Sequence, residues 1–478
     1  MTFREIYSIS RRFSDTMSVM EKKSGNMKKN DRISIKIDSF KTLNRTLGYY
    51  ENTPVFISGG MPGQRAEVLI KRKRQSVCEA AFVKLLEAAD YEIPVSCPVY
   101  GQCGGCSFLS MPYAMQLQAK EDYILQLLQQ HGFSFQHYRG IHPSPQTEGY
   151  RNKMEFSFGN AEKGGALTLG MHRRNSFFDI VPALDCQLID DDFQAILKAV
   201  VRHCQQKNYS FYHKRAHRGL LRHLVLRKGC FTGQIMVNII TSSQAPFDEE
   251  AFVEAVRCLP LTANIVSVLH TVNDSVADTV APEEVRLLAG QDYLDEQLLS
   301  LTFQIAPFAF FQTNSAGCEI LYRQILDMLP EAHADLILDL YCGTGTIAQL
   351  ISPKADQVIG VELVQSAVAA AEKNAERNNL ANCHFIAVDV LNVLPDLLDI
   401  PDVIILDPPR AGIHPAALAQ IAAYRAKYIL YVSCNPTALI KDLALLTETY
   451  NIADLSIVDM FPHTPHVECV VLMSRVEK

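Results

Sequence analysis

The chain has 478 residues, 48% of them hydrophobic and 20% charged, the composition of a soluble globular protein with roughly two to four domains. It contains no run of about 18 apolar residues, so no membrane span is expected. A net charge of −7 argues against a uniformly basic nucleic-acid binder, and thirteen cysteines without a secretory leader point to a reducing, cytoplasmic setting.

Residues 1–30 are rich in Lys, Arg and Ser and lack an apolar segment, so a disordered basic tail is expected there. An over-long gene start, with Met20 or Met27 as initiator, reads the same way. An Arg-rich transit peptide fits less well because Glu5, Asp15 and Glu21 interrupt it. Ile33, Ile35 and Ile37 then alternate with polar residues, and short strands follow at 54–58, 66–71 and 76–84. Residues 31–92 are thus predicted to form an OB-like β-barrel. Lys71-Arg72-Lys73-Arg74 gives it a basic edge suited to single-stranded nucleic acid.

Cys97, Cys103 and Cys106 fall within ten residues, with Gly104-Gly105 letting the loop fold back. They supply three corners of a tetrahedral thiolate site, and Cys186 is taken as the fourth. Zinc and an iron–sulfur cluster both use four cysteines, and the five-residue gap after Cys97 leans toward iron–sulfur. A helix is predicted over 111–131, with mixed α/β sequence to about 300 and strands at 154–158, 220–227 and 233–241. Residues 201–230 carry eight Lys and Arg and no acid, interleaved with Tyr209, Phe211 and Tyr212. Such a mixture suits RNA, although charge runs are more often solvated faces.

From about 315 the pattern becomes regular: strands at 335–340, 357–362, 384–388, 402–406 and 427–432 are separated mostly by helices. The last two, 454–459 and 467–474, are joined by a short link. This predicts a Rossmann-like parallel sheet ending in an antiparallel hairpin. The first strand runs into Asp339-Leu340-Tyr341-Cys342-Gly343-Thr344-Gly345-Thr346. The second ends in Glu362, placed for ribose hydroxyls, and the third in Asp389, placed for an adenine amino group. A dinucleotide site would want a third glycine at position 348, which is Ala. The three strand ends together fit S-adenosylmethionine.

Two further strand ends carry reactive groups, Asp407-Pro408-Pro409-Arg410 and Ser433-Cys434-Asn435-Pro436. Both should open into the crevice at the carboxyl ends of the strands. A thiolate that adds to C6 of a pyrimidine makes C5 nucleophilic, which is how a cysteine serves methyl transfer to that carbon. Glu468 lies in the apolar strand Val467-Glu468-Cys469-Val470, where apolar walls would raise its pKa and suit it to take the C5 proton.

These motifs, with Phe310-Phe311-Gln312-Thr313-Asn314, resemble the RNA uracil-C5 methyltransferases that make 5-methyluridine. The resemblance runs from about residue 31 to the end. It implies a TRAM barrel, a central RNA-binding domain over 93–300 with a [4Fe-4S] cluster on the four cysteines, and a class I methyltransferase domain over 301–478. The helix after the cluster would pack on the catalytic domain, making the boundary near 108–140 discontinuous. Gln312, Tyr341, Thr346, Glu362, Asp389 and Asp407 match the family's methyl-donor site, beside Gly343 and Gly345. Cys434 would be the nucleophile and Glu468 the base. Phe310 would stack near a flipped uracil, Arg151, Asn152 and Lys153 would touch RNA, and Arg410 would face the substrate. The cluster points to 23S rRNA, and a monomer is expected. A transfer-RNA uracil enzyme, an RNA cytosine-C5 enzyme and a non-enzymatic iron–sulfur RNA-binding or redox-sensing protein are the alternatives. Thr346 stands where the family often has Asn, and the barrel lacks the family's Gly-rich start.

Overall fold

A computed structural model describes residues 27–476, except 75–76, 177, 277–282 and 394–398, so the expected tail lies outside the described residues apart from 27–30. The chain divides into two compact units, Met1–Glu92 and Ile93–Lys478.

In the first unit, β1 (Arg32–Thr42), β2 (Arg45–Tyr50), β3 (Thr53–Ser58), β4 (Arg65–Arg74) and β5 (Val77–Glu87) close a barrel in the order β1-β2-β3-β5-β4. β3 and β5 run parallel and the other pairs antiparallel, the connectivity of a small Greek-key barrel. Inward-facing Ile35, Ile37, Val55, Ile57, Val68 and Ile70 fill it. β2 was absent from the sequence prediction because Gly48 sits in its middle, where glycine weakens a strand. The structure needs that glycine. A Cβ there would stand 2.3 Å from the Lys36 carbonyl oxygen.

The second unit holds two large sheets. After α1 (Tyr113–Gln130) and β6 (Phe135–His142) come β7 (Lys153–Gly159), β8 (Thr168–His172), β9 (Ile180–Pro182), α2 (Asp191–Gln206), β10 (Leu221–Gly229), β11 (Gln234–Thr241), α3 (Glu249–Arg257), β12 (Asn264–Val272) and β13 (Glu284–Gly290). Apart from β6, these strands form a seven-stranded sheet in the order β13-β12-β11-β10-β7-β8-β9. The apolar faces of α2 and α3 (Phe193, Ile196, Leu197, Val200, Phe252, Val256) complete its core. A hairpin of β14 (Leu294–Leu298) and β15 (Leu301–Ile305) leads on to α4 (Ser315–Met328).

β16 (Ala334–Leu340), α5 (Thr346–Ile351), β17 (Ala355–Glu362), α6 (Gln365–Arg377), β18 (Cys383–Ala387), α7 (Val390–Val393), β19 (Val403–Leu406), α8 (Pro415–Ala423), β20 (Tyr428–Ser433), α9 (Pro436–Leu446), β21 (Tyr450–Val458) and β22 (Glu468–Arg475) follow. The eight-stranded sheet runs β18-β17-β16-β19-β20-β22-β21-β6. Its first five strands are parallel, and β22 is antiparallel to both β20 and β21. β6 joins the far edge parallel to β21, although it comes from well upstream. Its sequence, FQHYRGIH, has too few apolar residues to read as a strand, and an edge position pairs it on one side only.

α1 explains how β6 reaches that edge. Its inward stripe is Gln116, Lys120, Ile124 and Leu128, two polar residues where an apolar pattern would be expected. Lys120 Nζ lies 2.6 Å from Asp459 Oδ1, with both side chains fully buried, and donates to the Phe461 carbonyl at 3.2 Å. Gln116 donates to the Phe108 and Met111 carbonyls and accepts from His463 N at 2.8 Å. The helix is therefore tied by polar bonds to the connection between β21 and β22.

Candidate active site

The strand order reverses between β16 and β19, which places a crevice beyond the carboxyl ends of β17, β16, β19 and β20. The loop after β16 turns sharply, with Tyr341, Gly343 and Gly345 at φ 65°, 55° and 71°. Gly345 caps α5 in a left-handed conformation, and a Cβ there would collide with Phe385 at 2.5 Å. Glu362 fastens this loop: its Oε2 accepts from Gly343 N at 3.1 Å and its Oε1 from Val364 N at 2.9 Å. Asp389 Oδ1 accepts from Leu391 N at 2.9 Å, and its charge reaches Tyr341, whose phenol is pushed up to about 12 first by burial and then by Asp389 and Asp442. Thr346 is buried at the first turn of α5.

Sequence reasoning missed two features of this crevice. Leu363, Val364 and Ile386 are exposed apolar side chains at the ends of β17 and β18, walls on which an adenine ring could lie. Asp339, at the end of β16, is fully buried. Its Oδ2 accepts from Ala348 N at 2.9 Å, while Oδ1 has no partner. Burial, then the charge of Asp407, pushes this carboxyl up to about 8. The sequence signal was the one that exposed Glu468, a carboxylate inside an apolar strand.

Beyond β19 and β20 lies the reacting corner. Asp407 is pushed up to about 7 by burial. Glu468 is the first residue of β22, beside Cys469, which pairs with Ser433 at the end of β20, and this brings it next to Cys434. Burial, then Asp407, raises its carboxyl to about 8, against a lowering by Arg410. The Cys434 thiol is raised by burial and by Glu468, and lowered by a hydrogen bond and charge from Arg410. Asn435 ties the two loops together, its Nδ2 donating to the Arg410 carbonyl at 2.7 Å while its Oδ1 caps α9. The structure thus brings Cys434, Glu468, Asp407 and Arg410 into one corner.

Phe310 is 69% exposed, an aromatic face open to a partner. Gln312 lies two residues on, and Asn152 holds the segment: its Nδ2 donates to the Gln312 carbonyl at 3.1 Å and to Ser315 Oγ at 2.8 Å. Asn152 is buried, so its side chain faces this internal network and not solvent. Lys153 is partly buried, and that burial, then Arg227, lowers its pKa, while Arg151 lies 5.4 Å over the ring of Phe461.

The basic run at 201–230 is likewise drawn inward. Arg222 is buried against the Asn273 and Ser275 carbonyls, Arg227 against the Ala309 carbonyl, and Lys228 pairs with Asp190 and Asp192. Arg202, Arg215 and Arg218 stay exposed.

Among the described residues no group of three or more His, Cys, Asp or Glu is drawn together as a metal site. The four cysteines are nevertheless neighbours. The Cys106 thiol is pushed up to about 12 by burial and then by Cys186, Cys103 and Cys97, and Cys186 is raised by burial with Cys103 and Cys97 contributing. Grouped cysteine side chains are the donor type that a thiolate-bound metal or cluster would use.

A family model described as tRNA (uracil-5-)-methyltransferase matches residues 276–393 and 398–476. A protein of Clostridium tetani described as an uncharacterized RNA methyltransferase is 41% identical over 450 residues, covering 94% of this chain and 99% of its own. One from Bacteroides thetaiotaomicron with the same description is 35% identical, covering 88% and 96%. The crystal structure of the Pyrococcus abyssi tRNA (uracil-54, C5)-methyltransferase with S-adenosyl-L-homocysteine superposes with a TM-score of 0.72 at 25% identity, covering 92% of this chain and all of that one.

Proposed function

The chain belongs to the RNA (uracil-5-)-methyltransferase family, S-adenosylmethionine-dependent enzymes, and from that premise we propose that it methylates C5 of a uridine in 23S rRNA through a covalent adduct to Cys434. The observation that carries the mechanism is the convergence of a thiol and a raised carboxyl, Cys434 and Glu468, beside the crevice lined by Gly343, Glu362 and Asp389.

Bound S-adenosylmethionine supplies an electrophilic methyl group. A positively charged sulfonium suits a crevice in which the buried Asp339 and the half-buried Asp407 have no ion-pair partner among the described residues. Gln312, Tyr341, Gly345 and Thr346 would complete its binding, with Glu362 on the ribose and Asp389 on the adenine. Phe310 would stack on the flipped base and Arg410 would donate to the pyrimidine edge. The Cys434 thiolate would add to C6, displacing the C5–C6 π pair to C5, and C5 would take the methyl group as the methyl–sulfur bond breaks and its electrons stay on the donor sulfur. Glu468 then removes the C5 proton, and the electrons of that C–H bond re-form the C5–C6 double bond as the sulfur leaves. A carboxylate whose pKa burial raises to about 8 is a stronger base than an ordinary one, which suits it to take such a proton.

Cys97, Cys103, Cys106 and Cys186 would hold a [4Fe-4S] cluster in a structural role, joining segments on either side of β7 and β8. A brown protein with charge-transfer absorbance supports iron–sulfur, and a colourless one holding zinc would overturn that assignment. The barrel, with Lys71–Arg74 exposed at the end of β4, is read as a TRAM-like RNA-binding module.

Transfer RNA is the second reading, because the Pyrococcus abyssi neighbour acts on tRNA and aligns with nearly the whole chain. Mass-spectrometric mapping of 5-methyluridine in rRNA and tRNA from a deletion strain and its complement separates the two. The covalent step is tested with RNA carrying 5-fluorouridine: wild type should form a stable adduct and Cys434→Ala none.

A further inference from the structure

One titratable side chain in the reacting corner has no part in the proposed chemistry. His466 stands two residues before Glu468, and Arg410 Nη2 lies 2.6 Å from its Nδ1 and 3.4 Å from its Nε2. A guanidinium donates and cannot accept. Nδ1 must therefore be the acceptor, and the proton of the neutral ring sits on Nε2. The surroundings enforce that state: burial, then Arg410, Lys120 and Arg151, lowers the imidazole to about 4.

The ring is fixed from other directions as well. Phe461 meets it edge-on at 6.1 Å between centroids, and Arg151 backs Phe461. Earlier in the same connection, His463 is clasped by Ser107 N and Phe108 N on its carbonyl and by Gln116 on its backbone N–H. The Arg410 backbone is held separately by Asn435, the residue after Cys434. Arg410 is thus held at its backbone from the Cys434 loop and at its guanidinium from the Glu468 connection.

We propose that His466 is a positioning residue: its neutral ring accepts from Arg410 and aims the guanidinium at the Cys434 sulfur. There the guanidinium favours the thiolate against Glu468 and Asp407, the carboxyl groups that face the same sulfur. The inference rests on Cys434 being the nucleophile, but its test needs neither RNA nor methyl donor.

In the full-length protein, the rate of Cys434 alkylation by iodoacetamide is followed against pH by peptide mass spectrometry. His466→Ala should move the midpoint up by about one pH unit, a roughly ten-fold loss of thiolate at neutral pH. Arg410→Ala should do the same, and the double variant should add nothing further. His466→Asn keeps an acceptor and should leave the midpoint close to that of the wild type. An unmoved midpoint in Arg410→Ala, additive shifts in the double variant, or equal shifts in His466→Ala and His466→Asn would each overturn the proposal. If His466→Ala does not fold, the Arg410→Ala and His466→Asn arms decide. Methyl transfer surviving in Cys434→Ala would remove the nucleophile assignment instead, leaving the alkylation result to stand for the pair.

Discussion

Asp192, at the start of α2 against the seven-stranded sheet, and Asp339, at the end of β16 in the eight-stranded sheet, are almost equally hidden, at 4% and 0% exposure. Asp192 receives Lys228 Nζ at 2.8 Å, Thr262 N at 2.7 Å and Ala263 N at 3.1 Å, with Thr262 Oγ1 as a fourth donor. Burial works to raise its pKa, but Lys228 and Thr262 more than offset that and hold it below the usual range. Asp339 has one backbone donor and, among the described residues, no cation, and it rises to about 8. Asp407 is raised to about 7 and Glu468 to about 8, the latter in spite of Arg410. Where the fold needs a charge it completes the partners. On the proposed function, the partner missing from the incomplete carboxyls comes from outside, as ligand or as reacting proton.

Glu468→Gln should have the largest effect. It keeps the shape of the side chain but removes the proton acceptor, so turnover should fall by about 10²–10⁴-fold. Methyl transfer to C5 can still occur, so a methylated RNA–protein adduct should accumulate when labelled donor is used. Loss of turnover without that adduct would place the base elsewhere.

Lys120→Met tests the saturated kind of site. It strands Asp459 in a fully buried position, and removing one partner of such a pair costs about 3–5 kcal/mol. Urea unfolding measures it, and a loss below about 1 kcal/mol would show that the pair is not what ties α1 to the sheet. Phe310→Ala should leave stability within about 0.5 kcal/mol, since the ring is exposed, yet weaken RNA binding by about 1–3 kcal/mol, the worth of one stacked base. An unchanged KM for RNA would remove Phe310 from the substrate site.

The same distinction explains which features were legible in the sequence. The glycine loop, Glu362, Asp389, Asp407 and Cys434 could be read because each follows an apolar run at a strand end, a local pattern with a fixed geometric consequence. The antiparallel finish of the sheet followed from a short connection. What could not be read depends on partners far along the chain. Arg222, Arg227 and Lys228 looked like an RNA-binding run because nothing local shows that their partners lie at 273–275, at 309 and at 190–192. Asn152 looked like an RNA contact for the same reason, its partners lying at 312 and 315. His466 is invisible without Arg410 beside it, and β6 without β21.

Asp339 offers the smallest effect and the most direct view of an incomplete carboxyl. Its folded pKa, about 8, is raised from 3.8, so the folded state holds a proton that the unfolded state has released. Between those values the unfolded chain binds fewer protons, and stability therefore falls as pH rises; below about 4 and above about 8 the slope vanishes. Asp407 and Glu468 give the wild type a slope of the same sign, and the variant keeps theirs. Asp339→Asn removes one contributor while retaining an oxygen for Ala348 N. Comparing the two proteins by urea unfolding at pH 5 and pH 8.5 cancels what they share. The difference should move in favour of the variant by about 1 kcal/mol or more over that range, since one pKa unit corresponds to about 1.4 kcal/mol. Saturating S-adenosylmethionine should reverse the preference, because the positive charge of the donor supplies the partner that Asp339 lacks in the free protein. A flat difference would mean that Asp339 is already satisfied, and the crevice would then have no charge waiting for a ligand.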